Sequence, residues 1–247
     1  MVGSSVGLDH FDLPECRRRG ITVANTGDAY SADMADIAVA LLVDVLRRVS
    51  ASNRYLRAGL WAVKGDYLLC SNFQGEKEIG IVGLGSIGSM IAKRLESFGC
   101  KIAYNSRRKK PHVPFPYYVN VQDLATNSDV LVICCALTNE TFYIINKDVM
   151  TALGKEGVIV NVGRGSLIDE KELVQFLVRG DVGGAGLDVY EDEPNVPGEL
   201  FGLDNVVLSP HRAVATTEAI LAVQEVVMAN LEAFFANKPL VSQVVLE

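Results

Sequence analysis

The sequence predicts an α/β protein with a doubly wound parallel sheet and a second, incomplete domain. From residue 78 onward, short strand-like runs alternate with helical segments, and the runs are apolar throughout. The first run leads directly into a glycine-rich loop that opens a helix. Alternating strands and helices give parallel strands, and strands that are apolar throughout need cover on both faces of the sheet.

The elements follow from this alternation. A long helix is predicted over residues 31–48, because Ala, Leu and Met are abundant there and Ser31 can cap its start. The predicted strands are 79–82, 101–104, 129–137, 157–162, 184–189 and 205–209. The predicted intervening helices are 86–98, 121–127, 147–153 and 170–178.

The two ends of the chain do not fit this pattern. Residues 1–28 hold only a predicted helix at 14–19 and a predicted strand at 21–24, in less than the roughly 50 residues that a domain needs. A long helix is predicted over 216–237, with a capped start at Thr-Thr-Glu 216–218 and an end at Lys238 and Pro239. We therefore expect both ends to belong to a second domain that is incomplete in this sequence.

Composition excludes several classes of function. A net charge of −7 is unfavourable for sequence-independent nucleic-acid binding. The apolar stretches are too short to span a bilayer, and no secretory signal precedes them. The five cysteines are scattered without a metal or disulfide pattern. We therefore expect a cytoplasmic protein with no metal, no nucleic-acid partner and no membrane association.

The glycine-rich loop predicts a dinucleotide site. Gly83, Gly85 and Gly88 follow a strand and open a helix, which is the context that the Rossmann fingerprint requires. The alternative is a simple turn. In the fingerprint, the pyrophosphate sits on the helix N-terminus. We therefore expect cofactor contacts from Gly83, Gly85, Ser86, Ile87 and Gly88.

The end of the second strand bears on which dinucleotide is bound. An NAD site usually offers a carboxylate there for the ribose hydroxyls, whereas this chain has Ser106, Arg107 and Arg108. Guanidinium groups grip a 2′-phosphate in a bidentate manner. The pattern favours NADP(H) over NAD(H), and a solvated basic loop is the alternative.

Three polar residues each follow an apolar run in the second half of the chain. They are Arg164, Glu193 and His211. Taken singly, each is more typical of a surface loop. Taken together, they stand at the carboxyl ends of parallel strands, where open α/β sheets bind their ligands, and they predict a catalytic site for an anionic substrate.

Several motifs resemble the signatures of the D-isomer-specific 2-hydroxyacid dehydrogenases. They are Asn-Val-Gly-Arg-Gly-Ser-Leu-Ile-Asp-Glu at 161–170, Gly-Leu-Asp-Val-Tyr-Glu-Asp-Glu-Pro at 186–194 and Ser-Pro-His at 209–211. Segments 20–26, 137–141 and 144–146 are also similar to the family pattern. Within the family, the loop 105–108 and segment 203–211 resemble most the plant-type hydroxyphenylpyruvate reductases.

The resemblance implies reduction of a 2-oxo acid to the (2R)-hydroxy acid by hydride from a nicotinamide, with hydroxyphenylpyruvate, hydroxypyruvate or glyoxylate as substrate. Arg164 would bind the substrate carboxylate and polarise its 2-oxo group. His211 would be the general acid. Glu193 would orient His211 and favour its protonated form.

The resemblance also implies further binding residues. Asp188 would face the nicotinamide end of the cofactor, and Thr138 and Val162 would line the cofactor cleft. The backbone N–H groups of Val6 and Gly7 would provide a second contact to the substrate carboxylate.

The resemblance implies three parts of the chain. Residues 1–28 would be a remnant of the substrate domain, 29–213 the dinucleotide-binding Rossmann domain, and 214–247 a C-terminal helix and tail that return to the substrate domain. Several βα units are expected to be missing before Met1. The helix 31–48 would contribute to a homodimer interface, and Arg212 stands where the family usually has an aliphatic residue.

Three alternative functions are also compatible with the sequence. The chain could be a nucleotide-binding remnant without turnover, or a dinucleotide-sensing protein similar to the C-terminal-binding-protein corepressors. Within the enzymes, a glyoxylate and hydroxypyruvate reductase with no aromatic preference fits equally well.

Overall fold

The computed structural model describes residues 1–70 and 77–244. The chain divides into two compact units, one formed by Met1–Met34 with Val214–Glu247 and the other by Ala35–Ala213. The division falls within helix α2 (Ser31–Arg47), a few residues beyond the predicted boundary after residue 28. The smaller unit contains helices α1 (Leu13–Arg18) and α9 (Thr217–Phe235).

Within residues 77–244, the larger unit contains a seven-stranded parallel sheet of order β3-β2-β1-β4-β5-β6-β7. The strands are β1 (Glu78–Val82), β2 (Lys101–Asn105), β3 (Tyr117–Tyr118), β4 (Val130–Ile133), β5 (Val158–Asn161), β6 (Gly184–Leu187) and β7 (Val206–Leu208). The strand order reverses direction between β1 and β4, and such a switch point is where doubly wound sheets form a ligand crevice.

Helices α3 (Val49–Arg57) and α4 (Leu60–Lys64) precede β1. The helices between the strands bury apolar side chains, and they are α5 (Ser86–Ser97), α6 (Val121–Thr126), α7 (Lys147–Leu153) and α8 (Glu170–Arg179). Asn120, Asn146 and Asp169 cap three of them by accepting backbone N–H groups of the first turn. Polar capping side chains therefore set where these helices begin.

The core lies along the central strands. All residues of β4, β5 and β6 are buried, as expected for strands covered on both faces. The described helices include none that is long and apolar enough to cross a membrane.

The structure differs from the predicted elements in three places. The predicted strand 21–24 makes only isolated bridges, through Ala24. The predicted strand 129–137 ends at Ile133, because its partners Val82 and Asn161 end there too. β3, α3 and α4 were not predicted. β3 has only two residues and α4 only five, which is too short to show an apolar period, whereas α3 is amphipathic and its pattern was missed.

Candidate active site

The strands end in register along one edge of the sheet. Val82 pairs with Ile133, Ile133 with Asn161, Asn161 with Leu187, and Leu187 with Leu208. The backbone ladder continues for one residue beyond these ends, since Val162 N–H donates to the Ile133 carbonyl at 3.1 Å. The loops that carry the predicted catalytic side chains therefore leave the same edge.

His211 and Glu193 form a close pair. The His211 Nδ1 atom lies 2.7 Å from Glu193 Oε2, and Glu193 Oε1 accepts the Tyr190 N–H at 3.0 Å. Since carboxylate oxygens accept hydrogen bonds, this contact favours the tautomer with its hydrogen on Nδ1. The two side chains are 45% and 35% exposed, so the pair lies at the protein surface.

The turn that carries His211 is organised by Asp188. This residue is completely buried, and its carboxylate accepts the Ser209 hydroxyl at 2.5 Å, the Arg212 N–H at 2.8 Å and the Ala213 N–H at 3.0 Å. His211 has a left-handed φ of 52°, which is uncommon outside glycine. The three hydrogen bonds to Asp188 hold that conformation.

These contacts bear on two predicted features, the role of Asp188 and the presence of Arg212 after His211. A contact between Asp188 and the nicotinamide stays a prediction. Within the protein, the Asp188 carboxylate holds the turn after β7 by hydrogen bonds. Arg212 meets Asp188 through its backbone N–H and its side chain is exposed. An aliphatic residue is therefore not required at position 212 to form this turn.

Asn161 organises the loop that carries Arg164. Its side chain is buried, accepts the Gly163 N–H at 3.0 Å and donates to the Arg164 carbonyl at 2.8 Å. The Arg164 guanidinium donates to the Gly163 carbonyl at 2.8 Å. The sequence alone did not predict this role of Asn161, although a polar residue at the end of a buried apolar strand is a signal that could have indicated it.

Tyr190 links the ends of β6 and β7. Its buried hydroxyl donates to the carbonyls of Leu187, at 3.2 Å, and Ser209, at 3.1 Å. Burial raises the pKa of Tyr190 to about 12, so the hydroxyl stays protonated and acts as a donor. The sequence alone did not predict this role of Tyr190 either.

The glycine-rich loop has the geometry that the dinucleotide motif requires. Gly83 has a φ of 103°, and a Cβ there would lie 2.6 Å from the Cys135 Cα. A Cβ on Gly88 would lie 2.2 Å from the Gly83 carbonyl oxygen. A Cβ on Gly85 would meet no atom of residues 1–70 and 77–244 within 4 Å.

Helix α5 begins just beyond Gly85, with Ser86 and Ile87 in its first turn. The backbone N–H groups of a first helical turn lack intrahelical partners and favour an anion. Space above Gly85, together with these donors, fits the pyrophosphate of a dinucleotide.

The loop after β2 presents two exposed guanidiniums, those of Arg107 and Arg108. The Ser106 hydroxyl donates to the Arg108 carbonyl at 2.7 Å, and the Tyr117 hydroxyl donates to the Ser106 carbonyl at 3.2 Å. The backbone between the two arginines and the sheet is therefore held in a defined turn.

The remaining predicted residues have different surroundings. Val162 is buried, whereas Thr138 is exposed and donates its N–H to the Thr141 hydroxyl at 2.7 Å. Val6 and Gly7 belong to the smaller unit. The Val6 N–H, one of the two predicted substrate donors, donates there to the Tyr30 hydroxyl at 2.6 Å.

Comparisons with known proteins point to one family. The model of the family "D-isomer specific 2-hydroxyacid dehydrogenase, NAD binding domain" matches residues 39–213. A glyoxylate/hydroxypyruvate reductase from Arabidopsis thaliana is 60% identical over all of this chain and 76% of its own length. A hydroxyphenylpyruvate reductase from Plectranthus scutellarioides is 51% identical over 98% of this chain and 76% of its own.

A solved structure is similar over the same extent. The NADPH-dependent glyoxylate/hydroxypyruvate reductase from Sinorhizobium meliloti, in complex with NADP and malonate, superposes with a TM-score of 0.95 at 39% identity. The match covers 99% of this chain and 77% of that one. The chain thus belongs to the NAD(P)-dependent D-isomer-specific 2-hydroxyacid dehydrogenases and contains the NAD-binding domain of that family.

Proposed function

We propose that the protein uses NADPH to reduce a 2-oxo acid, namely hydroxyphenylpyruvate, hydroxypyruvate or glyoxylate, to the (2R)-hydroxy acid. The observation that carries this proposal is the hydrogen bond between His211 and Glu193, on the sheet edge from which Arg164 also emerges. The named activities of the relatives from Arabidopsis and Plectranthus support the choice of substrates.

Each side chain of the site has a separate role in the proposed reaction. A bound nicotinamide supplies the hydride for carbon 2 of the substrate. Arg164 binds the substrate carboxylate and polarises the 2-oxo group. His211 donates the Nε2 proton to the carbonyl oxygen, while Glu193 holds Nδ1–H and stabilises the cationic ring by its charge.

The loop after β2 supports the proposed preference for NADP(H). Arg107 and Arg108 are exposed there on an ordered turn, and Asn105, which ends the strand, offers no carboxylate to the ribose. The related Sinorhizobium enzyme is described as NADPH-dependent, which supports the same preference here.

Further assignments belong to this proposal. Thr138, Val162 and Asp188 would border the cofactor, and Val6 and Gly7 would lie on the substrate side. The smaller unit would correspond to part of a substrate domain. A reducing cytosol suits the five cysteines, which are free thiols.

The cofactor preference is tested by Arg107→Asp. We expect the Kd for NADPH to rise at least about tenfold, because a charge-assisted contact to the 2′-phosphate is replaced by repulsion, while the Kd for NADH stays nearly constant. Fluorescence titration with both cofactors measures this. Lys109→Asp makes the same charge change two residues away and serves as control. Equal losses of both cofactors in Arg107→Asp would contradict the assignment.

The catalytic role is tested by His211→Gln. We expect kcat for NADPH oxidation to fall by about 100-fold or more, since general acid catalysis is lost, with the Kd for NADPH within about twofold of wild type. Hydroxyphenylpyruvate, hydroxypyruvate and glyoxylate are each assayed by the loss of NADPH absorbance. His112→Gln, at an exposed loop position, is the control. Full activity in His211→Gln, or a wild type that binds NADPH without oxidising it, would refute the proposal.

We also propose a homodimer, supported by exposed apolar residues in and after α4. Trp61 is 59% exposed, Val63 81% and Leu69 100%, and exposed apolar surface of this kind is a candidate interface. The large apolar residues of α2 itself, including Leu42, are mostly buried in the protein. Helix α2 therefore offers little exposed apolar surface to a second copy of the chain.

The dimer proposal predicts a molecular mass of two chains by light scattering at micromolar concentration. Trp61→Asp combined with Leu69→Asp should shift the mass toward one chain, because two charges would be buried without partners. Val119→Asp, at an 80% exposed position beyond β3, is the control. A wild-type mass of one chain would exclude the dimer.

A further inference from the structure

The turn that follows Arg164 is in direct backbone contact with the loop that carries Glu193. This turn is a single 3₁₀ turn, Gly165–Leu167. A Cβ built on Gly165 would lie 1.9 Å from the Tyr190 carbonyl carbon, 2.0 Å from its oxygen and 2.3 Å from the Glu191 nitrogen. Only a residue without a side chain allows this approach in a close-packed interior.

A second contact holds the same loop from helix α8. Glu170, the first residue of α8, accepts the Glu191 N–H on Oε2 at 3.1 Å. Burial raises the pKa of the Glu170 carboxyl, and the hydrogen bond from Glu191 opposes that shift. The helix that begins shortly after the Gly165 turn therefore also fixes Glu191, two residues before Glu193.

A third contact comes from the loop after β4. The Tyr143 hydroxyl donates to the Glu191 carboxylate, which is the main reason that the pKa of Tyr143 rises to about 12. The Tyr143 N–H donates to the carbonyl of Ser166, in the middle of the 3₁₀ turn, at 2.9 Å. Tyr143 therefore connects the turn after Arg164 with the loop before Glu193.

We propose that Gly165, Glu170 and Tyr143 are positioning residues that hold Arg164 and the Glu193–His211 pair at one fixed spacing. The inference rests on the proposed function, in which Arg164 binds the substrate carboxylate while His211 protonates the carbonyl oxygen of the same molecule. A displacement of about 1 Å between such groups is enough to slow a reaction by about 100-fold. The three residues act through Glu191 and Tyr190, not through the substrate.

The Tyr143–Glu191 contact allows a test without a steric clash. We expect Tyr143→Phe to lower kcat for hydroxypyruvate about tenfold, the effect of losing one hydrogen bond to a charged group. KM should stay within about twofold, since Arg164 still binds the carboxylate. Glu191→Ala should match this loss, the double variant should be no slower than either single one, and Glu191→Gln, which keeps an acceptor, should restore most of the rate.

Gly165→Ala tests the backbone contact, with Gly198→Ala as its matched control. Gly198 lies in the same larger unit, and a Cβ there would meet no atom of the described residues within 4 Å. We expect Gly165→Ala to lower kcat by about 100-fold and Gly198→Ala to behave as wild type. If Gly165→Ala does not fold, the Tyr143 and Glu191 variants decide the question.

Amide hydrogen exchange provides a readout that does not require turnover. In Tyr143→Phe, exchange of residues 190–193 should accelerate while that of β1 stays unchanged, because the loop opens locally. Wild-type kcat and wild-type exchange in Tyr143→Phe would overturn the positioning role. If His211→Gln keeps full activity, the proposed function fails. Faster exchange of residues 190–193 in Tyr143→Phe would still show that Tyr143 holds this loop.

Discussion

A buried carboxylate at the end of β6 supports the rest of the site. Asp188 accepts one hydroxyl and two backbone N–H groups from the turn after β7, and His211 stands inside that turn in a left-handed conformation. An isolated buried charge is costly, whereas one that is fully hydrogen-bonded is tolerated and imposes its geometry. The position of the imidazole, and with it the contact to Glu193, depends on this arrangement.

At the end of the neighbouring strand β5, a buried polar side chain also holds the following loop by hydrogen bonds, and here that side chain is neutral. Asn161 is buried at the strand end and holds both Gly163 and Arg164 by hydrogen bonds. Parallel strands in register bring these two organised turns to one edge of the sheet. The fold therefore determines more than the location of the site, because polar groups at the strand ends set the conformation of the loops that carry the reactive side chains.

Features with a local pattern could be predicted from the sequence. Six of the seven strands of the described sheet, the glycine loop and the placement of Arg164, Glu193 and His211 after apolar runs follow from periodicity and motif spacing. Whether these residues perform the assigned roles is a separate question, which the variants address. The end of β4 at Ile133 depends on where the neighbouring strands end. The sequence of β4 alone does not contain that information.

The roles of Gly165, Tyr143 and Tyr190 could not be read from periodicity. Each acts through a contact between segments that are far apart in the sequence, such as the contact of Tyr143 with Glu191, and apolar patterns carry no information on such pairs. The short edge strand β3 lay below the length at which alternation can be recognised.

The hydrogen-bonded state of His211 tests the central claim most directly. With only three histidines in the chain, ¹⁵N-histidine labelling and a His211→Gln spectrum assign the signals without ambiguity. We predict that the neutral ring of His211 carries its proton on Nδ1, protected from solvent exchange by Glu193, and that Glu193→Gln removes this protection. A neutral ring protonated on Nε2, or a spectrum unchanged in Glu193→Gln, would contradict the account.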